Sequence, residues 1–328
     1  MKLTTLLRPL LALAVAAGLS SAAIAAAISA AVAAEPAKQL RIGFQRTGPL
    51  LVLKQWKTLE QKLEPLGYTV TWSEFTAGPP LLEALNVGSI DLGTTGDTPP
   101  LFAQAAGADL VYVGAVTNPG TTSAVLVQKD GPIQSIADLK GKKVAFVRGS
   151  NANNIIIRVL EKGGLTFKDI QPVSLTPADA RAAFERGSID AWVIWDPYYA
   201  LAERSEKVRV LTNAAGIVDS YSFYLARRAF AGQAPEVVQA VIGEIARVSE
   251  WGAANPAAYA EIQAKENGLP LEVQTVAAKR EGRRIAYIDD EIVAKQQRIA
   301  DDFHRLGLIP KAITIRDVIW TPPAAPKS

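Results

Sequence analysis

Gly88-Ser89-Ile90-Asp91-Leu92-Gly93-Thr94-Thr95-Gly96-Asp97-Thr98-Pro99-Pro100 decides the fold, because the chain nearly repeats it. Gly187-Ser188-Ile189-Asp190-Ala191-Trp192-Val193-Ile194-Trp195-Asp196-Pro197-Tyr198 has the same layout. Each copy opens with Gly-Ser-Ile-Asp, runs on through a short apolar stretch and reaches a second Asp six residues after the first. Leu81, Leu82, Ala84 and Leu85 precede the first copy; Ala178, Ala180, Ala182, Ala183 and Phe184 precede the second. Both spacings suit a helix face packed on a sheet. Gly88 and Gly187 stand where a helix ends in a positive φ that a Cβ would disfavour. The second Asp lies just past a strand, where open α/β sheets bind their ligands. Gly-Ser-Ile-Asp is also ordinary helix-turn-strand grammar that can occur twice. Agreement in order, spacing and the final Asp favours two α/β lobes aiming matching loops at a shared cleft.

The pattern around these copies is an alternation of strands and helices. Strands are expected at Leu40–Phe44, Gly67–Trp72, Val111–Val116 and Ala124–Val127, then at Lys143–Val147, Gln171–Leu175, Ile189–Ile194 and Val208–Leu211. Helices are expected at Leu50–Leu63, Pro80–Asn86, Pro99–Ala106, Ala152–Lys162, Pro177–Arg186 and from Pro197. Such alternation implies mainly parallel sheets with helices on both faces. Tyr221–Ala226 is read as a strand returning to the first lobe. Helices follow at Pro235–Asn255, Pro256–Asn267, Leu271–Glu281 and Glu291–Leu306. Lobe 1 is thus discontinuous, residues 38–123 plus 221–320, and lobe 2 is 124–220. Residues 321–328 form a Pro-rich tail.

Composition narrows the function. The 328 residues are 49% apolar and 20% charged, with a net charge of +3 and no block of clustered Lys and Arg, which gives nucleic acid no footprint. Residues 1–34 carry Lys2 and Arg8 and then no charge until Glu35, with Val32-Ala33-Ala34 before it. This reads as a secretory signal peptide cut near Ala34; its long apolar run also suits an uncleaved anchor. With no cysteine the chain has no disulfide and no Cys-anchored lipid. Its core must come from about 290 mature residues, enough for two domains. Export without a lipid points to a Gram-negative periplasm. The single His304 and the missing Cys exclude a Cys/His zinc site. A Ser-His-Asp triad could use His304 alone, and His304 reads as an exposed helix residue.

Three stretches could carry chemistry. Ser150-Asn151-Ala152-Asn153-Asn154 follows a strand and starts a helix, whose first N–H groups lack partners and whose dipole favours an anion. Simple capping by Ser150 or Asn151 explains the same residues. Thr98-Pro99-Pro100 makes a similar offer in the first half, with Pro at the first helical position. Trp195 at a strand end could pack on an alkyl chain, whereas Trp192 points to the other face and into the core. Asp97 and Asp196 could act as a paired acid and base, orient neighbouring donors, bind an amine on the ligand, or fix turns. Arg148 flanks the second helix start, to assist an anion or simply to be solvated.

These motifs in this order resemble the periplasmic aliphatic sulfonate-binding proteins of ABC importers. The residues that carry the likeness are Arg41–Gln45, Glu83–Asp91 with Gly96–Pro100, Phe102–Gly114, Asp138–Phe146, Leu175–Phe184, Ala191–Tyr199 and Ser222–Ala226. Taurine, nitrate and thiamine-precursor binders belong to the same group. The resemblance implies a two-lobed periplasmic-binding-protein fold of type II that closes on its ligand and delivers it to an inner-membrane ABC permease. It implies a monomer with no catalytic residue, cofactor or metal. It places the ligand contacts at Gln45, Gly96, Asp97, Thr98, Ser150, Asn151, Asn153, Trp195, Asp196 and Ser222. Relatives often have Ser or Thr at 151 and 152 and His at 153, where this chain has Asn151, Ala152 and Asn153. The ligand is therefore expected to be an aliphatic sulfonate, with taurine, nitrate, another small anion or a thiamine precursor as alternatives. An enzyme using Asp97 and Asp196, or a receptor sensor domain, would be a different use of the same frame.

Overall fold

The computed structural model describes residues 38–282 and 284–322. The leader read at residues 1–34 and the tail beyond residue 322 lie outside the described residues. The strands are β1 (Lys38–Phe44), β2 (Tyr68–Glu74), β3 (Leu92–Thr95), β4 (Leu110–Asn118), β5 (Ser123–Gln128), β6 (Lys143–Phe146), β7 (Gln171–Ser174), β8 (Ala191–Trp195), β9 (Val208–Asn213), β10 (Ser220–Arg227) and β11 (Ile285–Ala286). The helices are α1 (Pro49–Trp56), α2 (Thr58–Leu63), α3 (Gly78–Asn86), α4 (Thr98–Ala105), α5 (Asn151–Lys162), α6 (Pro177–Glu185), α7 (Tyr198–Ala202), α8 (Arg228–Gln233), α9 (Pro235–Ala254), α10 (Pro256–Asn267), α11 (Leu271–Arg280) and α12 (Asp290–Arg305).

Two sheets result. Among the described residues one has the order β11-β4-β10-β3-β1-β2 and the other β7-β6-β8-β5-β9. The expected parallel pairing holds for β2-β1-β3 and β7-β6-β8. The remaining ladders, through β10, β4 and β11 and through β5 and β9, are antiparallel. The reason is topological. The chain passes from the first sheet to the second between β4 and β5, and returns between β9 and β10. A strand that enters a sheet at the end where its neighbour leaves must run against that neighbour. Accordingly Ser123, the first residue of β5, lies opposite Trp195, the last of β8.

Both sheets are covered on both faces, and side-chain alternation decides which residue serves which face. Val111, Val113, Tyr224 and Ala226 pack with Leu50, Leu53 and Val241, whereas Leu110, Tyr112, Phe223 and Leu225 pack with Leu81, Leu85 and Ile292. In the second sheet Val125, Val144 and Val193 meet Ile155, Ile156 and Leu160 of α5, while Leu126, Ala145 and Trp192 meet Ala180 and Phe184 of α6. Trp192 is a core residue, buried to 1% exposure. The helix expected over Leu50–Leu63 is two helices, because Lys57 adopts φ 57° and its N–H bonds Leu53 O. The bend lets Leu50, Leu53, Leu59 and Leu63 all reach the core.

The two Gly-Ser-Ile-Asp copies fold alike. Gly88 and Gly187 have φ of 74° and 70°. Ser89 N–H bonds Ala84 O and Ser188 N–H bonds Ala183 O, both at 2.8 Å. Gly88 N–H reaches Leu85 O and Gly187 N–H reaches Phe184 O, completing the same helix-ending motif twice. Asp91 accepts from Arg41 N–H at 3.0 Å and donates its own N–H to Arg41 O. Asp190 does the same with Lys143, accepting at 2.7 Å. The first Asp of each copy therefore sets the register of a parallel strand pair. Asp91 is also gripped by the guanidinium groups of Arg41 and Arg227. Burial raises its pKa, but the two arginines outweigh burial and hold the carboxyl below the usual range.

Asp91→Ala leaves two guanidinium groups without their buried partner and should destabilise the protein by about 2–4 kcal/mol. Asp190→Ala loses one backbone partner and should cost about 1 kcal/mol. Thermal melts of the two variants at neutral pH check the order. The contribution of Asp91 is present above its unfolded pKa and disappears as pH falls through the lowered folded value, so the gap between the variants should close in acid.

Candidate functional site

Parallel strands expose their carboxyl ends on one side of a sheet, and the helices that follow begin there. Three such helix starts open on one cavity of about 130 Å³ between the sheets. Gly48 and Pro49 start α1 after β1, Gly96 and Pro99 lead into α4 after β3, and Ser150 and Asn151 start α5 after β6. Pro49 and Pro99 each occupy one of the first two helical positions, where no N–H is lost from the ladder. The Ser150 hydroxyl accepts from Ala152 N–H at 3.2 Å and donates to Val147 O at 2.7 Å. The crossings supply the rest of the wall, with Asn118 and Thr122 beside β4 and β5, and Ser222 and Tyr224 from β10.

Of the ten residues singled out from sequence, Gln45, Gly96, Ser150, Asn151, Trp195, Asp196 and Ser222 line this cavity. Asp97, Thr98 and Asn153 are buried and do not line it. The Thr98 hydroxyl donates to Asp97 Oδ1 at 2.8 Å, and Asn154 Nδ2 donates to Asp97 Oδ2 at 2.8 Å. Burial pushes the Asp97 carboxyl up, against the pull of these donors. Asn153 Oδ1 accepts from Gly149 N–H at 3.2 Å and so supports the turn before α5. Gln45 Nε2 donates to Thr94 O at 3.1 Å. Arg148 and His304 are exposed and stand outside the cavity.

Gly96 is one place where the two halves approach closely. A Cβ there would come within 2.7 Å of Asn151 Cβ at the start of α5. Sequence reasoning missed the α1 start, although Gly48-Pro49 carries the same proline signal as Thr98-Pro99. It also missed Ala277, Glu281 and Gly282, which reach the cavity from the far end of the chain with no local signal. Glu281 accepts from the Tyr259 hydroxyl at 3.2 Å. The described lining residues include no Lys, Arg or His, and their acids are Asp196 and Glu281. Among the described lining residues an anion meets amide and hydroxyl groups in place of formal positive charge.

Asp196 is 4% exposed. Its Oδ1 accepts from Ala200 N–H at 2.9 Å and lies 3.5 Å from Arg280, while its Oδ2 has no partner. Burial pushes its carboxyl up to about 7, with Arg280 pulling the other way. A carboxyl raised above its unfolded value contributes stability that is full below the unfolded pKa and lost as pH rises through the folded one. Asp196→Asn removes the ionisation. Near pH 8 and without ligand this variant should be more stable than the parent by about 1–3 kcal/mol, and the advantage should shrink as pH falls and vanish only near the unfolded value, about pH 4. Melting temperatures across that range decide the point.

Among the described residues no helix is long and apolar enough to cross a membrane, and no group of three or more His, Asp or Glu is placed to hold a metal ion. Residues 76–259 match the family described as NMT1/THI5 like. The crystal structure of the periplasmic aliphatic sulphonate binding protein of Escherichia coli superposes with a TM-score of 0.78 at 44% identity, over 87% of this chain and 98% of that one. The alkanesulfonate-binding protein of Xanthomonas axonopodis pv. citri, bound to MOPS, gives 0.82 at 42% identity, over 88% and 99%. A relative from Escherichia coli strain K12, carrying the name of an aliphatic sulfonates-binding protein, is 45% identical over 284 residues, 86% of this chain and 89% of that one. The fold, the twin strand-to-helix corners and these likenesses agree, and the chain belongs to the NMT1/THI5-like family.

Proposed function

We propose that this protein is a periplasmic solute-binding protein that captures aliphatic sulfonates between its lobes and delivers them to an ABC importer in the inner membrane. The observation that carries the reading is the convergence of three helix starts on one interlobe cavity whose described lining has no cation. Relatives above 40% identity named for sulfonates support the ligand class. A sulfonate stays ionised at ordinary pH and presents three acceptor oxygens. Backbone N–H groups at the start of α5 are suited to them. Trp195 supplies an apolar face for the alkyl chain. Gln45, Asn151 and Ser222 complete the polar wall, and Asp97, Thr98 and Asn153 shape the helix starts from behind. The lobes, residues 38–123 with 221–320 and residues 124–220, close as units about the two crossings, and the protein works as a monomer.

Micromolar capture needs about −8 kcal/mol. Three or four charge-assisted hydrogen bonds at ~1.5–3 kcal/mol each, with alkyl burial at ~0.8 kcal/mol per CH₂, reach that range. A thermal-shift series with ethane-, butane- and octanesulfonate, taurine, MOPS, nitrate and sulfate tests the assignment. The alkanesulfonates should stabilise by about 2.7 kcal/mol at a hundred times Kd. Stabilisation by nitrate or sulfate alone, with none from the sulfonates, would overturn it. Trp195→Ala should weaken octanesulfonate more than ethanesulfonate by several-fold in calorimetric titrations. An equal loss for both removes Trp195 from the chain-binding wall.

A further inference from the structure

The second Asp of each repeat copy makes a side-chain contact with the opposite half of the molecule as well as with its own. Asp97, at the end of β3 in the first sheet, accepts from Asn154 of α5, which packs on the second sheet. Both side chains are buried. Asp196, at the end of β8 in the second sheet, faces Arg280 of α11, which packs on the first-sheet side through α10. Arg280 also donates to Glu203 Oε2 at 2.7 Å, and its guanidinium lies 4.1 Å from the centroid of the Tyr199 ring. Apolar contacts flank each pair. Ile157 packs with Leu101 and Phe303 near the first, and Ala200 packs with Val273 and Ala277 near the second.

We propose that Asn154 and Arg280 are positioning residues that latch the two lobes closed around the ligand, each holding the cleft-end aspartate of the opposite repeat copy. The proposal rests on the reading of the protein as one that closes on a small ligand. Neither Asn154 nor Arg280 lines the cavity, so each acts on affinity through closure and not through contact. The latches are incomplete. Asn154 Oδ1, Asp196 Oδ2 and Arg280 Nη1 are buried without a hydrogen-bond partner. A closed state held by partly satisfied polar groups is marginal by itself, because each unmade bond leaves a desolvation cost uncompensated. A ligand that adds contacts present in the closed state alone then shifts the population. The repeat thus does two jobs. Its first Asp fixes a strand register within a lobe, and its second reaches for a partner across the cleft.

The chain has no cysteine, so Val87→Cys and Lys129→Cys, at exposed sites in the two halves, give a unique dye pair for measuring closure by energy transfer. In this background butanesulfonate is titrated into the parent, Asn154→Ala, Arg280→Met and Arg280→Lys. Loss of the latch raises the half-saturating concentration about tenfold in Asn154→Ala and Arg280→Met, as expected when the binding-competent fraction falls by that factor. Arg280→Lys recovers part of the loss, because a cation remains beside Glu203 without the planar fork. Parent-like affinity and closure in both Asn154→Ala and Arg280→Met overturn the proposal. If butanesulfonate fails to bind the parent, the functional reading falls. The closed fraction of the ligand-free protein then decides the latch: it must be lower in both variants than in the parent, and equal fractions overturn it. Arg280→Met alters a partly exposed side chain and keeps an unbranched apolar stem, so its result stands even where Asn154→Ala unfolds.

Discussion

An α-helix cannot satisfy the N–H groups of its own first turn, and the whole architecture is arranged around where those groups end up. Three first turns open on the same cavity, at Pro49, Pro99 and Asn151, and of these named residues Asn151 alone carries an N–H, proline having none. Each follows a strand that ends there. Parallel pairing of β1 with β3, and of β6 with β8, puts those strand ends on one side of each sheet. Two sheets facing each other then bring the starts together without a single described Lys or Arg in the lining.

The crossings make that meeting possible and explain the mixed pairing of the sheets. β5 and β10 begin beside the cavity, where β8 and β3 end, so they run against them. The same four strand ends put Thr122 and Ser222 into the wall. A purely parallel sheet in each half would have kept the connections on the outer edges. The two sides of the cleft are therefore joined by chain on both passes.

What could be read from the residues was what is local. The Gly-Ser-Ile-Asp turns, the prolines at helix starts and the alternation that buries Trp192 while turning Trp195 to the cavity all follow from neighbours in sequence. The crossings near 123 and 221 were visible as strands following one another without a helix. Other features depend on partners far away. Lys57 bends a continuous apolar pattern into two helices with no Gly or Pro to announce it. Thr98 and Asp97 looked like ligand contacts because they sit at the end of a strand. The approach of Asn154 from α5, and the bond from the Thr98 hydroxyl to Asp97, turn their polar atoms inward. Glu281 enters the wall just past α11, a helix that sequence alone assigned to lobe 1 without connecting it to the cavity. Strand direction was misjudged for the same reason: the order of elements does not say at which end a strand joins its sheet.

Divergence between the two repeat copies bears on selectivity. Asp97 is surrounded by neutral donors and closed off behind the lining, whereas Asp196 keeps a bare oxygen in a cavity-lining residue with Arg280 nearby. Burial pushes both carboxyls up, but Asp196 is the one that stands at the wall. On the proposed reading this carboxyl acts against a dianion. Two negative charges at 4 Å repel by about 4 kcal/mol at an effective dielectric of 20, and sulfate doubles the charge a sulfonate brings. On the same reading an alkanesulfonate lessens that penalty, with its oxygens at the start of α5 and its chain against Trp195. Discrimination between inorganic sulfate and organic sulfonates then needs no dedicated cation. It follows from neutral donors at one end of the cavity, an aromatic face beside it, and acid side chains that tolerate a single negative charge better than two.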